Sequence, residues 1–415
     1  MKPAITRQFW VLIHRWAGLT LALFLAMAGF TGIFLAWEDD LEALTAPHLL
    51  RAAPPVAGTP MRDVPGMVKA ALARHPGMDV SYVLLTVEPG KVLRLRVVWV
   101  DPVKAPDWDE LLIDPYTGVE LGHRRWGDIT QGISNLMPMI YRLHYCLLVE
   151  GPGTLVMGIA SLVWMLDCFV GFYLTLPVRV AAKKAACKPA AKGKGWLARW
   201  RPSWAVRWGA SSYKLNFDLH RAGGLWIWPV LLVFAVSSIS FNLPAIYTPV
   251  MKAMGARDAN AVFAAPMLPA PRLHPKLDIA AAQRRGEALA KQEAGKAGVA
   301  LKAEGLRWLW NAPAQGVYIY GFTTQGDVSD PGGSSRLAFD SDTGALVSVQ
   351  LADTAPSASR MTDWVVALHM ANVWGLAWRI AVSVIGAMVT MLSITGIVIW
   401  MKKRSGRVHR AKGCA

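Results

Sequence analysis

Four long apolar runs, Phe9 to Trp37, Gly151 to Leu176, Gly223 to Leu243 and Val373 to Met401, constrain this chain more than any other feature. Each is close to or beyond the roughly 20 residues that cross a bilayer as a helix, so the sequence predicts four transmembrane spans. The first run follows Lys2 and Arg7 and contains Ala26-Met27-Ala28, as a cleavable signal peptide would. Its apolar character continues well past that point, and it reads as a retained anchor. Only 17% of the residues are charged, against about 25% in ordinary soluble proteins, which agrees with a largely membrane-embedded chain.

Placement of charge gives the orientation. A net charge of +16 would suggest a nucleic-acid partner if the chain were soluble. Here the surplus is confined to two places. Residues 178–222 hold eleven Lys and Arg (Arg179, Lys183, Lys184, Lys188, Lys192, Lys194, Arg199, Arg201, Arg207, Lys214, Arg221) against the single acid Asp218, and the tail after Met401 holds six with no acid. Residues 38–143 carry eleven basic and fourteen acidic side chains, and 244–368 carry twelve and eleven. Because Lys and Arg stay on the cytoplasmic side, both termini and the middle loop are expected inside and the two near-neutral segments outside. The positive surplus then faces anionic lipid, with Trp196, Trp200, Trp204 and Trp208 as interfacial anchors, and nucleic acid is excluded as a partner. The expected order is span 1–37, outer module 38–143, span 144–177, inner loop 178–219, span 220–243, outer module 244–368, span 369–401 and tail 402–415. Cys146, Cys168, Cys187 and Cys414 form no Cys-x-x-Cys, so neither a zinc ribbon nor covalently attached haem is indicated.

Local patterns recur in the two halves. His14-Arg15-Trp16-Ala17-Gly18-Leu19 matches His220-Arg221-Ala222-Gly223-Gly224-Leu225 as His-Arg-x-x-Gly-Leu. Leu143-His144 matches Leu368-His369, each followed after 27 residues by a glycine, Gly171 or Gly396. Each outer segment ends a strand-like run in Asp-x-x-Thr-Gly, at Asp114 to Gly118 and Asp340 to Gly344, the composition of a hairpin turn. The outer segments therefore read as two small α/β modules, with helices near Arg62 to Arg74 and Asp278 to Ala294. Their strands are expected near Val80 to Val87, Val92 to Val100, Leu306 to Trp310 and Gly316 to Phe322. The predicted fold is an α-helical membrane protein, a four-helix bundle built from two tandem repeats, each with its own outer module.

Four histidines stand one per span, His14 and His220 toward the cytoplasm, His144 and His369 toward the outside. Imidazoles on facing helices of a bundle are suited to axial ligation of haem iron, so the pattern predicts two haems, one near each face. Arg15 and Arg221 are candidates for the propionates of the inner haem and Arg379 for those of the outer, while anchoring by the positive-inside rule explains the first two equally well. Asp167, deep in the second span, is a candidate for orienting a ligand imidazole or for pairing within the bundle. Trp164, Phe169 and Phe172 are placed between the two haem levels. Zinc or copper on the same histidines stays open, with Met137, Met139, Met361 and Met370 suited to Cu(I). His48, His75, His123, His274 and His409 are read as solvated. No dinucleotide, Walker or Ser-His-Asp pattern occurs, and no cytoplasmic segment is long enough for a flavin or nicotinamide domain. The electron donor is then another protein, a reduced flavin or a quinol.

Nearly the whole chain resembles the PepSY-associated transmembrane helix family. Leu368-His369, Gly375-Leu376, Arg379, Ser393-Ile394-Thr395-Gly396 and Trp400 ahead of Lys402-Lys403-Arg404 resemble its last helix, and Asp218-Leu219-His220-Arg221 with Gly224-Leu225 its third. His14 to Leu19 with Thr31-Gly32 resembles its first, and the Asp-x-x-Thr-Gly segments resemble PepSY modules. Helix three carries Ser237-Ser238-Ile239-Ser240 where a Thr-Gly is expected. The resemblance implies an iron-regulated protein of the bacterial inner membrane similar to the FoxB-type ferrioxamine reductases. Such a protein would hold two haem b and reduce ferric siderophore in the periplasm. Two other classes remain: a non-enzymatic PepSY binding or regulatory protein, and a haem-free copper-handling protein.

Overall fold

The computed structural model describes residues 6–101, 103–178, 195–257, 265–329 and 332–412. Arg179, Lys183, Lys184, Lys188, Lys192, Lys194, Cys187 and Cys414 lie outside the described residues. In chain order, α1 (Arg7–Leu35) is followed by α2 (Glu38–Thr45), α3 (Pro47–Leu50) and α4 (Val64–Arg74), then by β1 (Met78–Leu84), β2 (Leu93–Trp99), β3 (Glu110–Ile113) and β4 (Glu120–Arg124). Next come α5 (Leu136–Cys146), α6 (Pro152–Thr175), α7 (Trp196–Trp200), α8 (Ser212–Trp226), α9 (Trp228–Asn242), α10 (Pro244–Ala253) and α11 (Ile279–Ala297). The chain ends with β5 (Trp308–Ala312), β6 (Val317–Gly321), β7 (Arg336–Asp340), β8 (Leu346–Gln350), α12 (Ser357–His369) and α13 (Gly375–Lys412). Two compact units result: a helical unit of residues 1–36, 143–244 and 380–415, and a sheet unit of residues 37–142 and 245–379.

The sheet unit corrects the expectation of two separate modules. Its strands form one antiparallel sheet in the order β4-β3-β2-β1-β5-β6-β7-β8. The halves are joined where Tyr82, Val83 and Leu84 pair with Trp310, Leu309 and Trp308. Two isolated four-stranded modules would each leave one more row of unpaired backbone groups at an edge, and pairing β1 with β5 removes both rows. Helices α4 and α11 cover one face, where Val68, Ala71, Leu289 and Ala290 pack with Val80, Leu95, Leu309, Tyr320 and Phe339. Both helices start on an aspartate cap: Asp63 accepts from Gly66 N and Asp278 from Ala281 N. The two Asp-x-x-Thr-Gly turns are built alike. Asp114 Oδ1 accepts from Tyr116 N at 2.8 Å, Asp340 Oδ1 from Thr343 N at 2.8 Å, and Gly118 and Gly344 follow in the left-handed region at φ +75° and +69°. In the first half, Glu42 of α2, Glu110 of β3 and Arg124 of β4 are buried together, with Arg124 bonded to Glu42 at 2.8 Å and Arg94 to Glu42 at 2.6 Å.

In the helical unit α1, α6 and α13 are long and apolar enough to cross a membrane. The expected third span, 220–243, is not one straight helix. It is the pair α8 and α9, bent by 69°, with Pro229 in the first turn of α9, where its missing N–H is tolerated. Counted as one span, the pair brings the total among the described residues to four. The second and fourth spans begin at Pro152 and Gly375, not at residues 144 and 369. His144 and His369 lie at the ends of separate helices, α5 and α12. In the break after each, non-glycine residues adopt left-handed backbone: Leu147 and Leu148 at φ 55° and 65°, Ala371 and Trp374 at 55°. Trp196, Trp200 and Trp204 form a continuous row with ring centroids 5.2 Å apart at each step, and Trp200 Nε1 donates to Thr175 Oγ1 at 3.2 Å.

Candidate functional site

His14 stands in the second turn of α1, against α6. A Cβ placed on Gly171 would lie 3.4 Å from its Cε1, so the bare helix surface at that glycine is what admits the ring. One turn earlier on α6, the Asp167 carboxylate accepts from His14 Nδ1, with its oxygens at 2.9 and 3.0 Å. His220, on α8, is seated on α13 in the same manner. A Cβ on Gly396 would lie 3.3 Å from its Cε1, and its Nδ1 donates to the Leu392 carbonyl at 3.0 Å. Thr395 Oγ1 lies at 3.0 Å from the same nitrogen and itself donates to the Met391 carbonyl at 2.8 Å. A backbone carbonyl only accepts, and a carboxylate with both oxygens at one ring nitrogen takes the acceptor role there, so both Nδ1 atoms carry hydrogen and both Nε2 atoms keep the lone pair that binds metal.

The two rings have their centroids 6.2 Å apart. Two metal–nitrogen bonds of about 2.0 Å plus about 1.1 Å from each nitrogen to its ring centre total about 6 Å, so the spacing suits a single iron held between them. Both rings line a cavity of about 490 Å³ within the helical unit, inside the size range of cofactor sites. Arg7, Arg15, Arg221 and Lys403 also line it, and Asp167 is the one carboxylate among its walls. Arg15 makes no hydrogen bond or ion pair with the described residues, whereas Arg221 also bonds the Pro202 carbonyl at 2.6 Å and the buried Asp218 at 3.0 Å. Trp164 and Phe172 line the cavity. Phe169 does not, being 50% exposed with its ring edge against Trp228. Among the described residues no group of three or more His, Cys, Asp or Glu converges. Two imidazoles with an open cavity between them suit a macrocycle that brings its own remaining ligands.

His144 has a similar seat. Its Nδ1 lies 2.8 Å from Thr31 Oγ1, which donates to the Met27 carbonyl at 2.8 Å and so accepts from the imidazole. A Cβ on Gly32 would lie 3.5 Å from His144 Cε1. His369 belongs to the sheet unit and ends α12, half-buried, where Trp378 Nε1 donates to the neighbouring Leu368 carbonyl at 2.9 Å. Arg379, expected ten residues into the last span, lies in the first turn of α13, paired with Asp40 and over the Trp37 ring at 4.4 Å. His75 and His123 are not simply solvated: His75 Nε2 is 3.0 Å from Glu120, and the two rings pack on Trp108 at 5.4 and 4.9 Å.

Gly171 and Gly396, which recur 27 residues after His144 and His369 in the sequence, seat the other two rings: Gly171 that of His14 and Gly396 that of His220. The roles of Thr31 and Thr395 went unread, although both precede a glycine and the Thr-Gly dipeptide was the available signal. Arg7 and Lys403 line the cavity without any sequence pattern that singles them out. The family described as PepSY-associated TM region matches residues 11–403. A comparison with curated proteins finds no match.

Proposed function

Because the chain belongs to the PepSY-associated TM region family, we propose that it is a di-haem oxidoreductase of the bacterial inner membrane that reduces ferric siderophore in the periplasm. The observation that carries this reading is the His14–His220 pair, 6.2 Å between ring centroids in one cavity, each Nδ1 already donating to the protein. These two residues would hold the inner haem iron through Nε2. Arg7, Arg15, Arg221 and Lys403 would meet its propionates, guanidinium and ammonium being the natural partners of carboxylate. Bound haem supplies a one-electron Fe(III)/Fe(II) couple. His144, held by Thr31, would be one ligand of the outer haem, and His369 its partner from the sequence pattern.

The protein's own contribution is to fix both ring tautomers, to keep water away with Leu21, Leu25, Leu231 and Val389, and to neutralise the propionates. In the overall reaction two ferric siderophores take one electron each from a two-electron donor such as a quinol, which releases two protons. Iron leaves because Fe(II) is held weakly by hard oxygen ligands built for Fe(III). The excess of Lys and Arg in the middle loop and tail supports a cytoplasmic side for both termini in this reading.

The test is purification in detergent, visible spectra in oxidised and reduced states, and pyridine haemochrome quantification. Two b-type haems per chain, reoxidised by added ferric siderophore, are expected. A colourless protein overturns the reading and favours a PepSY binding protein.

A further inference from the structure

Three histidines of the helical unit sit on a glycine in the same way, and two of the three seats use the same neutral acceptors. Around Gly396, the ring of His220 is held by the carbonyl of the residue four earlier, Leu392, and the hydroxyl of the residue just before, Thr395. Around Gly32, the ring of His144 is held by the carbonyl four earlier, Ala28, and the hydroxyl just before, Thr31. Around Gly171 the corresponding positions are Asp167 and Val170. Valine offers no hydroxyl, and the acceptor is the carboxylate of Asp167, with both oxygens within 3.0 Å of His14 Nδ1. The Asp167 side chain is only 10% exposed, so water screens its charge poorly.

A hydrogen bond to a carboxylate gives the imidazole more anionic character than one to a carbonyl or hydroxyl. The more basic ring stabilises Fe(III) over Fe(II). We propose that Asp167 is a positioning residue that holds the inner haem at a lower midpoint potential than a neutral seat would give. The inner site then parts with its electron readily, which favours flow away from the cytoplasmic side. This inference rests on the haem reading given above.

The test is a potentiometric titration of the full-length detergent-purified protein, followed by haem absorbance, for wild type, Asp167→Asn and the double change Asp167→Leu with Val170→Thr. The double change rebuilds at Gly171 the residue types found at Gly396. In both variants haem should stay bound, and one haem should move to a more positive potential. At fixed ambient potential its reduced-to-oxidised ratio should rise at least tenfold, about 59 mV for a one-electron couple. Bound haem with unchanged potential in either variant overturns the inference and leaves the haem reading standing. Loss of haem from both variants also overturns it, because Asp167 would then only hold the ring in place. A wild-type protein without haem overturns the reading beneath it.

Discussion

Gly29 of α1 and Gly386 of α13 meet backbone to backbone: a Cβ on Gly29 would stand 2.7 Å from the Gly386 carbonyl oxygen, and one on Gly386 2.6 Å from that of Gly29. Neither obstacle is a side chain that can swing away. Small residues at such crossings allow the close packing and dispersion contacts that hold helices together where lipid removes the hydrophobic drive. Gly29→Leu or Gly386→Val should therefore separate the two helices and cost about 1–3 kcal/mol or more, the range for overpacking. Thermal unfolding in detergent should show a lower Tm for both.

Ligand substitution should respect the geometry of the helical unit. In the proposed di-haem reading, where one iron would lie between the two rings, His14→Ala and His220→Ala should each abolish the same haem signal. His144→Ala or His369→Ala should remove the other haem and leave the first. Equal loss of both haems from every one of the four changes would sink the two-site assignment. Thr395→Val is a milder probe: the Leu392 carbonyl still accepts from His220 Nδ1, so haem content should hold.

Glu38, just past the first span, supplies a pH dependence in the sheet unit. Burial pushes its carboxyl up to about 7, helped by the nearby charges of Glu42 and Asp39 and opposed by Arg94 and Arg124. The folded chain thus keeps a proton that the unfolded chain, with an ordinary carboxylate near 4.5, has lost. Its stabilising share is complete below that ordinary value, declines as pH rises toward 7 and is then gone. Glu38→Gln keeps a neutral side chain of the same shape at every pH. Unfolding of the full chain at pH 5 and pH 8 should show little difference from wild type at the lower value and a more stable variant at the higher.

The two hairpin turns of the sheet unit should respond alike to substitution. Gly118 and Gly344 sit at φ +75° and +69°, where a side chain costs on the order of 1 kcal/mol through Cβ strain. Gly118→Ala and Gly344→Ala should lower Tm by similar amounts, and Asn at either position should be tolerated better than Ala. The arginines facing them, Arg62 and Arg285, reach these glycines with movable ends and should yield.

Where a single periodic signal dominates, sequence reading worked. The apolar runs located the membrane helices, the stretches from Arg62 to Arg74 and Asp278 to Ala294 correspond to α4 and α11, and Asp-x-x-Thr-Gly marked both hairpins. Pairing across long separations was illegible, since nothing local to Val83 or Leu309 says that they meet. The bend between α8 and α9 could have been suspected from Pro229, yet proline at a helix start and proline at a break read the same. The sequence pattern draws attention to His14 and His220, whose rings meet in one cavity, but their seats depend on which helices adjoin. The 27-residue spacing from His144 and His369 to Gly171 and Gly396 therefore does not tell which ring each glycine seats.

The joining of β1 to β5 also sets an order of events during synthesis. Leu84 pairs with Trp308, 224 positions later, and two further apolar segments are made in between. At roughly 5–20 residues per second the first half waits on the order of ten to forty seconds for its partner. Throughout that interval the β1 edge is an open template for any extended peptide. Synthesis of the second strand-bearing segment is thus the step that seals the sheet. A chain that stalls before residue 308 is marked as unfinished by one exposed strand edge, a signal that chaperones and proteases can read.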